Sequence, residues 1–169
     1  MTQQAKQQPP KNNVQLIAYL QGLLARQEYS RAVLAQKLTQ RFQLDDAQIE
    51  SALDYIQQQG WQSDERCAQR LVSVELSKYR GPKRIYQKAF QKGLDVSLID
   101  QVFQQQPLDW FEIACKSLQR RFNTLDWHDQ KQYQRAVRYL MGQGFDSSLI
   151  YQVTEQAAKT GESFFNKVE

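Results

Sequence analysis

The stretch Leu44-Asp45-Asp46-Ala47-Gln48-Ile49-Glu50-Ser51-Ala52-Leu53 decides the fold, because the chain writes its pattern two more times. It returns as Leu94-Asp95-Val96-Ser97-Leu98-Ile99-Asp100-Gln101-Val102-Phe103 and as Phe145-Asp146-Ser147-Ser148-Leu149-Ile150-Tyr151-Gln152-Val153-Thr154, at offsets of 50 and then 51 residues. The common pattern is an apolar residue, Asp, three variable positions, Ile, two variable positions and a small apolar residue. Each Asp is placed to cap a helix, its carboxylate accepting from the orphan N–H groups of the first turn. The apolar residue before it and the Ile after it then form a hydrophobic staple, which sets the angle at which the chain enters the helix. Leu44–Ile49, Leu94–Ile99 and Phe145–Ile150 are three such staples. One corner built three times at near-constant spacing is the mark of a helical repeat.

The remaining helices are read outward from these corners. Val14 to about Glu28 carries Leu16, Ile17, Leu20, Leu23 and Leu24 at helical spacing. A second helix begins at Ser30, with Tyr29–Leu34 as its staple and Leu34, Leu38 and Phe42 as its stripe. The helix capped by Asp45 buries Ile49, Leu53 and Ile56 and stops at Gly60. Ser63 opens a fourth, whose apolar face is Cys67, Ala68, Leu71, Val72, Leu76 and Tyr79. Gly81-Pro82 breaks the chain, with Pro82 at the first helical position of a fifth. That helix is expected to bury Ile85, Ala89 and Phe90 and to stop at Gly93, before Asp95 caps a sixth. Asp109 and Glu112 have the spacing of a capping box, with Leu108–Ile113 as the staple. Tyr133, Val137, Leu140 and Met141 mark an eighth helix and Asp146 caps a ninth. Phe164-Phe165 is expected to dock on the helices.

The fold expected is all-α: three tandem three-helix repeats in an elongated, curved array. The repeats span 14–60, 61–107 and 108–158, with a disordered polar tail over 1–13 and a C-terminal tail over 159–169. Units this small bury a core by stacking on their neighbours. Composition agrees. The 169 residues include 29 Gln but only 7 Gly and 4 Pro, which excludes many short strands joined by Gly-rich turns. Met1 to Asn13 is polar and holds Pro9 and Pro10, so it reads as neither a signal peptide nor a membrane span. No later run reaches the roughly 18 apolar residues a span needs. Cys67 and Cys115 match no metal or redox spacing. A cytoplasmic protein that does not enter a membrane is expected.

Candidate chemistry is sparse. His128, between Trp127 and Asp129, is the one histidine and reads as a loop or capping residue. No Gly-rich phosphate loop, metal-ligand spacing or nucleophile with its base is present, so no cofactor and no enzymatic activity are expected. Trp61, Trp110 and Trp127 sit at helix boundaries and read as packing residues.

Charge is more informative. The net charge is +4, but residues 61–107 carry +3 of it while residues 108–169 are balanced. Lys78, Arg80, Lys83, Arg84, Lys88 and Lys92 fall within 15 residues with no acid among them. Arg84, Lys88 and Lys92 recur every fourth position and would line one helix edge, where like charges repel. These six residues form the candidate site for an anionic partner, against the plainer reading of a solvated face. Arg120, Arg121, Lys131, Arg135 and Arg138 form a secondary set, interspersed with acids.

The middle of the chain resembles the RecX family, bacterial regulators of the RecA recombinase. The resemblance lies in Gly60-Trp61-Gln62-Ser63-Asp64-Glu65-Arg66-Cys67-Ala68, in Lys78-Tyr79-Arg80-Gly81-Pro82-Lys83-Arg84-Ile85, and in Lys92-Gly93-Leu94. Gln143-Gly144-Phe145 is similar to a C-terminal Arg-Gly-Phe element, with Gln in place of Arg. It covers about residues 14–156. The resemblance implies a negative regulator that binds the groove of the RecA–DNA filament and lowers its ATPase and strand exchange. It implies contact with single- or double-stranded DNA mainly within that filament. A monomer is expected, since no dimer seam is evident. The rival reading is a nucleic-acid-binding protein whose units act as tandem helix-turn-helix modules.

Overall fold

All three Asp residues of the repeated pattern cap helices. The Asp45 carboxylate accepts from the Gln48 N–H at 2.8 Å, Asp95 from Ser97 at 2.9 Å and Asp146 from Leu149 at 2.9 Å. The computed structural model describes residues 14–164, so the expected tail over 1–13 and Phe165 lie outside the described residues. Those residues form α1 (Val14–Leu24), α2 (Arg31–Arg41), α3 (Asp46–Gln58), α4 (Asp64–Leu76), α5 (Pro82–Gln91), α6 (Val96–Gln105), α7 (Trp110–Arg121), α8 (Gln130–Gln143) and α9 (Ser147–Thr160), followed by a 3-10 turn, Gly161–Phe164. No strand occurs among them, and the three-helix repeat is the architecture. None of these helices is long and apolar enough to cross a membrane.

The chain divides into two compact units. One holds the residues up to Ala68 together with Lys92–Leu94; the other holds Gln69–Gln91 and the residues from Asp95 onward. In the first, α1 and α2 both pack on α3. Leu20, Leu34, Leu38, Leu53 and Ile56 are fully enclosed between them. The Ser30 hydroxyl caps α2 and donates to the Lys92 carbonyl. Gln62 donates to the Tyr29 carbonyl at 3.1 Å, and Asp64 accepts from the Arg31 N–H at 2.8 Å. Gly93, at φ +62, presses so close that an added Cβ would lie 2.6 Å from the Ala32 methyl.

In the second unit, α7, α8 and α9 pack mutually around Leu118, Leu140, Phe145, Ile150 and Val153, and α5 packs on α6. Phe164 docks in the same core, its carbonyl accepting from Gln119 Nε2 at 2.6 Å. Edge-to-face contacts run from Tyr86 to Phe103 and on to Trp110, at 5.7 and 5.3 Å between centroids.

Four local expectations differ. The first helix ends at Leu24 rather than near Glu28, because Arg26 N–H turns back to the Leu23 carbonyl three residues away. Asp109 forms only half of its box; the Glu112 carboxylate is drawn 2.8 Å from Lys116 instead. The reciprocal box forms at Asp45–Gln48. Phe90 is not buried but 80% exposed, because Ile85 and Ala89 face inward and the next residue lies a quarter-turn round the helix. Met141, expected on the inner face of α8, is 56% exposed beside the enclosed Leu140 for the same reason.

Candidate basic interface

α4 ends abruptly at the start of the basic segment. Tyr79 takes φ +53, a left-handed conformation that costs a non-glycine residue roughly 1 kcal/mol. This turns the Arg80 N–H back onto the Glu75 carbonyl at 3.1 Å. The next residues open α5 against the end of α8. Gly81 N–H donates to the Gln143 carbonyl at 2.8 Å, and Lys83 N–H to the Gly144 carbonyl at 3.1 Å. The positive start of one helix thus meets the negative end of another. Only glycine fits on both sides. A Cβ on Gly81 would lie 2.5 Å from the Gly144 carbonyl carbon, and one on Gly144, at φ +94, 2.5 Å from Arg84 N.

The arginines extend this joint. Arg80 donates to the Gln143 side-chain oxygen, and Arg84 Nη1 to the Gly142 carbonyl at 3.0 Å. Both guanidinium groups therefore stabilise the α8 C-terminus, where cations are favoured. Lys88 is held 2.6 Å from Glu75, whose side chain is 2% exposed. Lys78 lies 3.9 Å from the same carboxylate and is half exposed.

The six candidate residues are thus not one free stripe. Arg80, Arg84 and Lys88 are half-buried and bonded within the second unit. Lys92 follows the end of α5, falls in the first unit and is half-buried, its carbonyl held by Ser30. Lys78 and Lys83 face solvent. In the secondary set, Arg120 stacks over the Tyr79 ring at 5.8 Å, which brings it to this corner. Arg121 and Arg135 both lie over Phe122, at 5.6 and 5.2 Å, away from that pairing. Lys131 and Arg138 are exposed on α8.

Glu75 and the outward placement of Phe90 escaped the sequence reading, and Gln143 entered it only as a departure from the Arg-Gly-Phe element. Glu75 had a signal: it stands one turn beyond Leu71 and Val72, at a core position of α4. The Cys115 thiol and the Tyr86 phenol stay protonated at neutral pH. Burial pushes Cys115 up to about 11; burial and the Asp100 carboxylate push Tyr86 up to about 12. His128 borders a cavity of about 500 Å³ beside Asp126 and Trp127, its N–H on the Asp126 carboxylate at 2.9 Å. No group of three or more His, Cys, Asp or Glu among the described residues could hold a metal ion.

The family model for "RecX, third three-helix domain" matches residues 108–154. The regulatory protein RecX of Acinetobacter baylyi is 35% identical over 129 residues, covering 76% of this chain and 79% of that protein. The chain belongs to the RecX family. The Legionella pneumophila RecX is 33% identical over 135 residues, covering 79% of this chain and 89% of its own length. The Vibrio vulnificus RecX is 32% identical over 136 residues, covering 80% and 88%. A crystal structure of a regulatory protein RecX superposes with a TM-score of 0.71 at 23% identity, over 85% of this chain and 73% of that one, which shows the shared fold. In this RecX-family chain, the Gly81–Gly144 joint and its arginines sit where the Lys-Tyr-Arg-Gly-Pro and Gln-Gly-Phe motifs meet.

Proposed function

We propose that the chain is a non-enzymatic, cytoplasmic negative regulator of RecA, binding the groove of the RecA–DNA filament as a monomer and lowering ATPase and strand exchange. The observation that carries this is the 35% identity to a regulatory protein RecX across 76% of the chain. The site we assign keeps Lys78 and Lys83 as solvent-facing cations at the α4–α5 corner, with Arg120 beside them. Arg80, Arg84 and Lys88 act chiefly by building that corner, while Lys92 lies in the first unit. DNA is contacted mainly within the filament. No cofactor enters this function.

The test is RecA ATPase on single-stranded DNA, titrated with this protein. Inhibition at or below stoichiometry is the expected result; unchanged ATPase at a twofold excess would overturn the proposal. Salt separates it from a general DNA binder. A protein that engages free DNA through several cations loses affinity with a log–log slope of about −0.7 to −0.9 per phosphate. Weak affinity for naked DNA and strong affinity for the loaded filament are expected here.

A further inference from the structure

The outer edge of α5 differs from the one its cation spacing picks out. Each flank of the helix is engaged inside the second unit: Ile85 and Ala89 in the core, Arg84 on Gly142, Lys88 on Glu75 and Tyr86 on Asp100. What remains exposed is Lys83, Gln87, Phe90 and Gln91. Lys83, Gln87 and Phe90 stand at i, i+4 and i+7, so they form one stripe about 10 Å long. At 80% exposure, Phe90 is the most exposed large apolar side chain among the described residues. It contributes little to this fold, yet it stands at the end of a polar stripe that begins with the Lys83 cation.

We propose that Phe90 is the apolar anchor of a protein contact, entering a pocket on the partner whose rim offers a carboxylate to Lys83. The reading rests on the proposed regulatory function and adds which part of the filament this edge meets. A single aromatic on a convex helix suits a desolvated pocket, where hot-spot energy concentrates. Nucleic acid fits less well. Tracking a backbone needs several free cations in a row, and on α5 the others are engaged internally. Charge complementarity therefore selects an acidic-rimmed protein surface.

Full-length Phe90→Ala and Phe90→Leu variants are compared with the parent for binding to RecA loaded on single-stranded DNA and to the same DNA alone. Circular dichroism controls for folding. Phe90→Ala is expected to weaken filament binding at least tenfold, with Phe90→Leu within about threefold of the parent, because an apolar pocket tolerates Leu. Binding to naked DNA should not change. Parental affinity in Phe90→Ala would overturn the anchor alone. Equal losses in both variants on both ligands would overturn it in favour of base stacking. A parent protein that fails to bind the filament would sink the regulatory function, and this contact with it.

Discussion

Lys88 Nζ lies 2.6 Å from Glu75 Oε1, and the Glu75 side chain keeps only 2% of its surface in water. The like-charged run along α5 is therefore stabilised in part from within, by an acid on α4. Removing Lys88 leaves a buried carboxylate without its main counter-charge. Lys88→Met should cost about 2–3 kcal/mol of unfolding free energy, below the full cost for an enclosed pair because Lys88 is 33% exposed. Replacing both partners, Glu75→Leu with Lys88→Met, should recover most of that loss. Urea titration of the two variants measures the difference. Equal destabilisation in both would mean that the pair is not what holds α4 to α5.

The glycines differ in what they tolerate, and the difference is measurable. Gly144→Ala adds strain at φ +94 and places a Cβ 2.5 Å from the Arg84 nitrogen. A loss of about 2–4 kcal/mol is expected, since backbone rather than a flexible side chain must move. Gly22, inside α1, has nothing within 4 Å of its added Cβ. There, alanine should stabilise by about 0.5–1 kcal/mol through helix propensity. Thermal or urea unfolding of the pair distinguishes the two sites.

What was legible from sequence was what is decided locally. A cap depends on residues two or three apart, so Asp45, Asp95 and Asp146 could be placed without knowing their neighbours in space. Staples follow the same logic, and the repeat multiplies it. The basic site was not legible because its meaning lies in distant partners. Arg84 meets Gly142 across 58 residues and Arg80 meets Gln143 across 63. No spacing rule distinguishes an arginine that caps a remote helix from one that awaits an anion. Phe90 was misplaced for a related reason. Apolarity suggested burial, but the inward arc of a ten-residue helix was already filled by Ile85 and Ala89.

The caps also set an acid limit. Hydrogen bonding to backbone N–H groups holds Asp95, and Asp129, which caps α8 by accepting from the Lys131 N–H at 2.8 Å, below the ordinary carboxylate value of 3.8. A depressed folded value means that the unfolded chain takes up protons first as pH falls. Their contribution is therefore complete above about pH 5 and is lost below about pH 4 as the folded carboxyls protonate. The urea midpoint should be flat from pH 7 to 5 and should fall between pH 4 and 2.5. Asp95→Asn keeps a capping oxygen but does not titrate, so its acid-side fall should be shallower. An unchanged slope would mean that the cap carries no linkage.

Charge reversal separates the cations that build the corner from those that face outward. Arg84→Glu turns a carboxylate toward the Gly142 carbonyl at the negative end of α8, so about 1–2 kcal/mol should be lost. Lys83→Glu alters a side chain that faces solvent at the start of α5, and stability should stay within about 0.5 kcal/mol of the parent. Lys83→Glu should nonetheless weaken filament binding, and the deficit should shrink as salt is raised, because a rim charge is screened. The two readouts together distinguish a folding defect from a binding defect. If Lys83→Glu proved as destabilising as Arg84→Glu, Lys83 would belong with the structural cations, and the outward stripe of α5 would lose its charge.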